Sequence, residues 1–226
     1  MLQENLFPTN ILIVDDHPMT VDGYVALISS LPHSDQTKFH LAYNARQAFK
    51  LITDFKDHNP PHLAFLDINL PAYEEQEIFT GVDLAMRIRT LFPDCKIIII
   101  TMHSEPVYVN QILKSVNPEG FISKSEINYR TFPQAIHNVI QGEKHYSESI
   151  KKSHQLFLSK NITWDEYDSR ILQLLSEGKK TVSLPEYLGL SLSTIEKRKA
   201  RIKKQLVLDG KSDQEMLDVA KEFGLL

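Results

Sequence analysis

ILIVDDHPMTVDGY, residues 11–24, couples an unbroken apolar run to a pair of aspartates and then to a segment with helical spacing. A run without polar interruption reads as a strand buried on both faces, the condition of a strand inside a parallel sheet. The pattern recurs at residues 63–67 (LAFLD) and 96–101 (KIIIIT), and more weakly at 39–43 (FHLAY) and 120–124 (GFISK). Amphipathic segments with helix punctuation lie between. Asn44 precedes a helix with Ala45, Ala48, Phe49 and Ile52 on one face, Thr80 opens another that Pro93 closes, and Ser104 opens a third whose first turn tolerates Pro106. A further helix over residues 132–141 ends at Gly142. Five strands alternating with five helices predict an α/β fold, a doubly wound five-stranded parallel sheet.

The chain has 226 residues, room for two domains. Its 42% hydrophobic and 24% charged residues exclude wholesale disorder. A single cysteine excludes an internal disulfide framework and a multi-cysteine metal site. No apolar run, residues 97–100 included, approaches the ~20 residues of a membrane helix. The opening MLQENLFPTN lacks a basic stretch and a long apolar core, so a cytoplasmic protein without membrane association is expected. Charge is uneven: residues 1–159 carry 13 basic and 18 acidic side chains, residues 160–226 carry 12 and 11, and residues 193–206 alone carry six basic and one acidic.

In an open parallel sheet, ligands sit beyond the carboxyl ends of the strands. Those ends are Asp15 and Asp16, Asp67, Thr101 and Lys124. Three carboxylates left together raise one another's pKa. A divalent cation and one ammonium would supply +3 against their −3, and oxygen ligands favour Mg2+. A carboxylate beside Mg2+, a lysine and a hydroxyl is poised to attack a phosphoryl group. His17 and His103 flank this rim, where hydrogen bonding or solvent exposure accounts for them more simply than metal ligation.

Residues 10–141 resemble the receiver domain of two-component response regulators, a flavodoxin-like fold, and the opening segment is close to that of the NarL/FixJ subfamily. The pieces that carry the resemblance are the pair Asp15–Asp16, LDINLP with Asp67, IIIITMHSE with Thr101, and GFISK with Lys124. It implies that Asp67 is the phosphoacceptor for a sensor histidine kinase. It implies that Mg2+ is held by Asp16, Asp67 and the backbone carbonyl of Asn69, with Asp15 acting through a metal-bound water. Thr101 and Lys124 would contact the phosphoryl group, and Phe121 matches an aromatic that reorients on activation. Gly81 follows Asp67 by fourteen residues, about six more than the family pattern. The extra residues, within AYEEQEIFT (72–80), read as a tolerated surface insertion.

Residues 142–161 are polar with little periodicity before Leu156, and an interdomain linker is expected there. The expected domains are 1–142, a linker at 143–160, and 161–226. The last part reads as four helices, opened by capping boxes at Thr163/Glu166, Ser183/Glu186 and Ser212/Glu215, with the final helix stopping near Gly224. Residues 178–206 resemble the LuxR-type helix-turn-helix, with Pro185 and the polar run 179–183 suggesting a shortened second helix. Either Ser191 or Ser193 caps the basic helix, and Glu196 stands where the family often has a lysine. Ser193, Thr194, Lys197, Arg198, Lys199, Arg201, Lys203 and Lys204 are the expected DNA-binding residues, about half of the cations reaching DNA.

The expected protein is therefore a small all-α DNA-binding unit behind a phosphorylatable α/β domain. It is a transcriptional regulator rather than an enzyme, with a sensor histidine kinase and promoter DNA as partners, Mg2+ as cofactor, and a homodimer formed on phosphorylation. A phosphatase of the haloacid-dehalogenase type would want Asp two residues after Asp67, where Asn69 stands. An interaction module whose helical part no longer binds DNA is the alternative.

Overall fold

The computed structural model describes residues 7–55, 59–159, 164–206, 212–222 and 226. The chain divides into two compact units, Met1–Ser104 with Ile112–Lys151, and Glu105–Gln111 with Lys152–Leu226.

The sheet is built from β1 (Asn10–Val14), β2 (Lys38–Ala42), β3 (Leu63–Asp67), β4 (Lys96–Thr101), β5 (Gly120–Ser123) and β6 (His145–Tyr146), in the order β2-β1-β3-β4-β5-β6. Every pairing is parallel. Among the helices are α1 (Pro18–Ser29), α2 (Ala45–Phe55), α3 (Gly81–Leu91), α4 (Pro106–Ser115), α5 (Thr131–Ile140) and α6 (Glu148–Ser159). All residues of β1 and β3 are buried, as their unbroken apolar runs require. Ile11, Ile13, Leu63, Phe65, Ile98 and Ile100 pack with Tyr24 and Ile28 of α1 and Phe132 and Ile136 of α5, and the Tyr24 and Phe132 rings stack at 5.0 Å. The alternate residues Leu12, Val14, Ala64, Leu66, Ile97 and Ile99 are equally buried, so the sheet is covered on both faces.

In the first unit the elements follow the sequence signals with two exceptions. Asn44 accepts from the Gln47 N–H at 2.9 Å, and Thr80 forms a reciprocal capping box with Asp83. α4 begins one residue later than expected: the Val109 N–H closes on the carbonyl of Glu105, not Ser104. The second exception is larger. Where the sequence shows little periodicity, the chain adds a sixth strand to the expected five, the His145 and Ser147 N–H groups donating to the carbonyls of Glu119 and Phe121. α6 follows at once, and Glu126 accepts from the N–H groups of Glu148 (2.9 Å) and Ser149 (3.0 Å) to satisfy its first turn.

The insertion at residues 72–80 is not a loose surface loop. Tyr73 and Ile78 pair as an antiparallel bridge around a 3-10 turn at Glu74–Gln76, and Ile78 is fully buried. Arg46 lies over the Tyr73 ring and pairs with Glu75, while Arg87 donates to the Gln76 carbonyl. The cost of lengthening the loop is offset by packing that its own side chains create.

In the second unit, α7 (Glu166–Ser176), α8 (Leu184–Leu188), α9 (Leu192–Gln205) and α10 (Asp213–Glu222) bury Ile171, Leu172, Leu184, Ile195, Ile202 and Met216. α8 is short, as Pro185 and the polar run imply, and Gly189 closes it at φ 63°, a left-handed conformation that glycine adopts without strain. Two cap readings change and a third is decided between its alternatives. α7 starts from Asp165 in a capping box with Asp168, and Thr163 lies outside the described residues. Ser183 does not cap α8; its hydroxyl donates to the Lys180 carbonyl. Ser191, not Ser193, caps α9, accepting from the Thr194 N–H at 3.2 Å. The Ser212/Glu215 box forms as expected, while Gly224 is outside the described residues. No helix among the described residues is long and apolar enough to cross a membrane.

Candidate functional site

The carboxyl rim of the sheet gathers the residues that the strand ends pointed to. Asp15 follows β1, Asp67 ends β3, Thr101 ends β4 and Lys124 follows β5. Asp15 and Asp67 are buried, at 1% and 3% exposure. The Lys124 Nζ lies 2.7 Å from Asp67 Oδ2 and 2.8 Å from Asp15 Oδ2, so one ammonium serves two carboxylates. The other oxygens are held by backbone: the His17 N–H donates to Asp15 Oδ1 at 3.0 Å, and the Asn69 N–H to Asp67 Oδ1 at 3.3 Å. Asp16 is partly exposed and pairs with His17, whose Nδ1 is 2.6 Å from Asp16 Oδ1 and 3.3 Å from Asp15 Oδ1. The exposed His17 ring thus lies against two of the three carboxylates.

Ligand atoms of Asp15, Asp16, His17 and Asp67 lie within 4.8 Å of one another. Three carboxylates against one ammonium leave a deficit of about two positive charges, which a divalent cation matches, and the oxygen donors suit a hard ion. Burial raises the Asp67 carboxyl above the ordinary carboxylate range; Lys124 opposes this and Asp15 adds to it. Burial disfavours the Lys124 ammonium, but its bonds to Asp15 and Asp67 outweigh that and hold it charged.

Thr101 is fully buried, and its Oγ1 accepts from the His103 N–H at 2.9 Å, which leaves its own proton to donate. Phe121 is fully buried in β5 beside Ile99 and Tyr146. Asn69 is exposed at the mouth, and so is Met102, directly after Thr101. A role for Gly81 was not legible from spacing, because the insertion moved it. A Cβ there would fall 1.9 Å from the Asp67 carbonyl oxygen, while the Gly81 N–H donates to the Ile68 carbonyl. Only glycine allows α3 to start this close to the rim.

The basic helix of the second unit is less free than its charge suggests. Arg198 binds Asp165 and the fully buried Asp168 at 2.8–2.9 Å, and Arg201 binds Asp168 at 2.6 Å. Lys199 and Lys203 both reach Asp213, at 2.5 and 2.8 Å. Four of the six cations expected at DNA are therefore engaged within the fold. Thr194 is half-buried behind the cap. The exposed residues after the first helical position are Ser193, Glu196, Lys197, Ala200 and Lys204.

Residues 11–137 match the sequence model of the response regulator receiver domain. The oxygen regulatory protein NreC of Staphylococcus epidermidis is 26% identical, the match covering 96% of this chain and 98% of that protein. Among solved structures, RcsB from Salmonella enterica serovar Typhimurium, bound to a promoter in the presence of the phosphomimetic BeF3−, is similar with a TM-score of 0.70 and 20% identity, covering 95% of this chain and 98% of that one. A structure of two RcsB dimers on two parallel DNAs is similar with a TM-score of 0.68 and 21% identity, covering 96% and 99%.

Proposed function

The chain belongs to the response regulator receiver domain family, and from that premise we propose that it is a DNA-binding transcriptional response regulator of a two-component system, acting in the cytoplasm. Asp67 receives a phosphoryl group from a sensor histidine kinase: a carboxylate oxygen bonds to phosphorus as the phosphorus–nitrogen bond of the phosphohistidine breaks. The observation that carries this is the Lys124 ammonium shared by two buried carboxylates at the strand ends. Asp16, Asp67 and the Asn69 carbonyl would hold Mg2+, with Asp15 beside it, and the ion would supply positive charge to the incoming group. Lys124 would pair with the phosphoryl oxygens, Thr101 would donate its hydroxyl proton to one, and Phe121 would respond to that movement.

Residues 1–142 form the phosphoacceptor domain, β6 within the expected linker 143–160 completes its sheet, and residues 161–226 form the DNA-binding domain, which α9 would place on promoter DNA as a phosphorylation-dependent homodimer. The DNA-bound RcsB structures support this by similarity of fold over nearly the whole chain. The ion-paired cations of α9 favour the second reading, an interaction module without DNA affinity.

Acetyl phosphate or beryllofluoride with Mg2+ should label or bind the wild type, and Asp67→Asn should abolish it. Labelling that persists in Asp67→Asn would overturn the assignment. A salt-titrated DNA-binding measurement on the beryllofluoride form separates the two readings.

A further inference from the structure

Glu196 is exposed on α9 and makes neither a hydrogen bond nor an ion pair among the described residues. Two routes that would neutralise it are closed. It does not cap the helix, since Ser191 holds that position. Its i+3 neighbour Lys199 is drawn to Asp213, and Lys203, one turn further along, goes the same way. At about 100° per residue, Glu196, Ala200, Ser193, Lys204 and Lys197 fall in sequence around an arc of roughly 100°. The exposed residues thus form one continuous stripe, with Glu196 at its edge. Buried Ile195, Ile202 and Leu206 point the opposite way.

Resting on the DNA-binding reading above, we propose that Glu196 is a specificity determinant that accepts a hydrogen bond from the exocyclic amino group of a cytosine in the major groove. A carboxylate turned toward a polyanion is repelled by every phosphate, so it favours binding only where a base edge offers it a donor. Cytosine N4 and adenine N6 are the major-groove amino donors. Adenine sets its N7 acceptor beside N6, which repels the second carboxylate oxygen, whereas cytosine presents its donor without that neighbour. Glu196 also lies near the amino-terminal end of α9, the part of a recognition helix that approaches base edges. Ala200, one turn on, leaves the space beside it open.

The test is selection of bound duplexes from a random-sequence library by the full chain with beryllofluoride and Mg2+, followed by competition binding, for wild type, Glu196→Ala and Glu196→Gln. Wild type should enrich cytosine at one position, with discrimination of roughly tenfold. Glu196→Ala should lose that preference alone while binding unrelated duplex more tightly. Glu196→Gln should move the preference to adenine, whose N6 and N7 match an amide. An unchanged cytosine preference in Glu196→Ala, or tighter binding of all sequences with no preference altered, overturns the proposal and leaves the DNA-binding reading intact. No binding by any of the three at low salt overturns both.

Discussion

Two clusters of opposite charge, one in each unit, look alike on paper and differ in balance. At the sheet rim, Asp15 and Asp67 share Lys124 with Asp16 close by, and negative charge is left over. In the helical unit, Asp165 and Asp168 meet Arg198 and Arg201, and Asp213 meets Lys199 and Lys203, so four cations face three carboxylates. The first cluster is left short of positive charge, a deficit that a bound divalent cation would relieve. The second is complete in itself and ties α7 and α10 to α9. Balance, rather than the number of charges, separates a site that waits for a ligand from one that holds a fold.

The largest expected effect breaks this comparison directly. Asp168→Ala removes a fully buried carboxylate that pairs with Arg198 and Arg201 and closes the α7 capping box with Asp165, which should cost about 3 kcal/mol. Asp15→Asn removes one of the surplus charges at the rim, keeps an acceptor for the His17 N–H, and should leave stability unchanged or raise it by roughly 1 kcal/mol without metal. Trp164 is the single tryptophan, its Nε1 bonded to Ser169 beside α7, so its fluorescence in urea reports the helical unit. Far-UV circular dichroism follows the whole chain. Equal destabilisation by both substitutions would erase the distinction.

A second contrast is in pH. The folded-state value of Asp67 is raised, first by burial and then by Asp15, so its charge penalises the fold above that value, and stability is regained as pH falls through it toward 3.8. Asp165 and Asp213 are the reverse. Their burial would raise them, but bonds to Arg198, and to Lys199 and Lys203, bring them below 3.8. Their contribution is complete above 3.8 and lost as pH falls through the lowered values. Acid titration followed by Trp164 fluorescence should therefore unfold the helical unit below about pH 4. Asp67→Asn should flatten only the gain that the first unit shows on mild acidification. A helical unit indifferent to pH between about 4 and 2 would show that its pairs are not worth what their geometry suggests.

How far the sequence could be read follows from the same physics. Asp15, Asp67, Thr101 and Lys124 were legible because buried parallel strands need unbroken apolar runs, and the residue that breaks each run marks the rim. The partners of the α9 cations were not: Asp165 and Asp168 lie about 30 residues upstream and Asp213 beyond the helix end, and no local pattern announces a pairing across a fold. β6 and α6 were missed because two residues are too few to show a strand period, and Glu126 caps α6 from 22 residues away. The 72–80 insertion concealed a buried Ile78 among three glutamates, so its polarity masked its packing.

The smallest expected effect concerns salt. With all six cations of α9 available, three or four per protomer would be expected at phosphates, and the slope of log K against log salt for a dimer would be about −5 to −7. The ion pairs leave Lys197 and Lys204 as the cations of the exposed stripe. Two per protomer in a dimer give four neutralised phosphates, and at about −0.9 each the slope becomes roughly −3.6. Lys204→Ala should flatten it by about two units, one per protomer, and weaken all duplexes alike, as a phosphate contact does. Lys203→Ala should instead shift the unfolding of the helical unit while leaving the slope nearly unchanged, because its ammonium is committed to Asp213. A wild-type slope near −6, flattened as much by Lys203→Ala as by Lys204→Ala, would mean that the pairs with Asp213 open when DNA arrives. The balanced cluster would then be a reserve of charge rather than a fixed part of the fold.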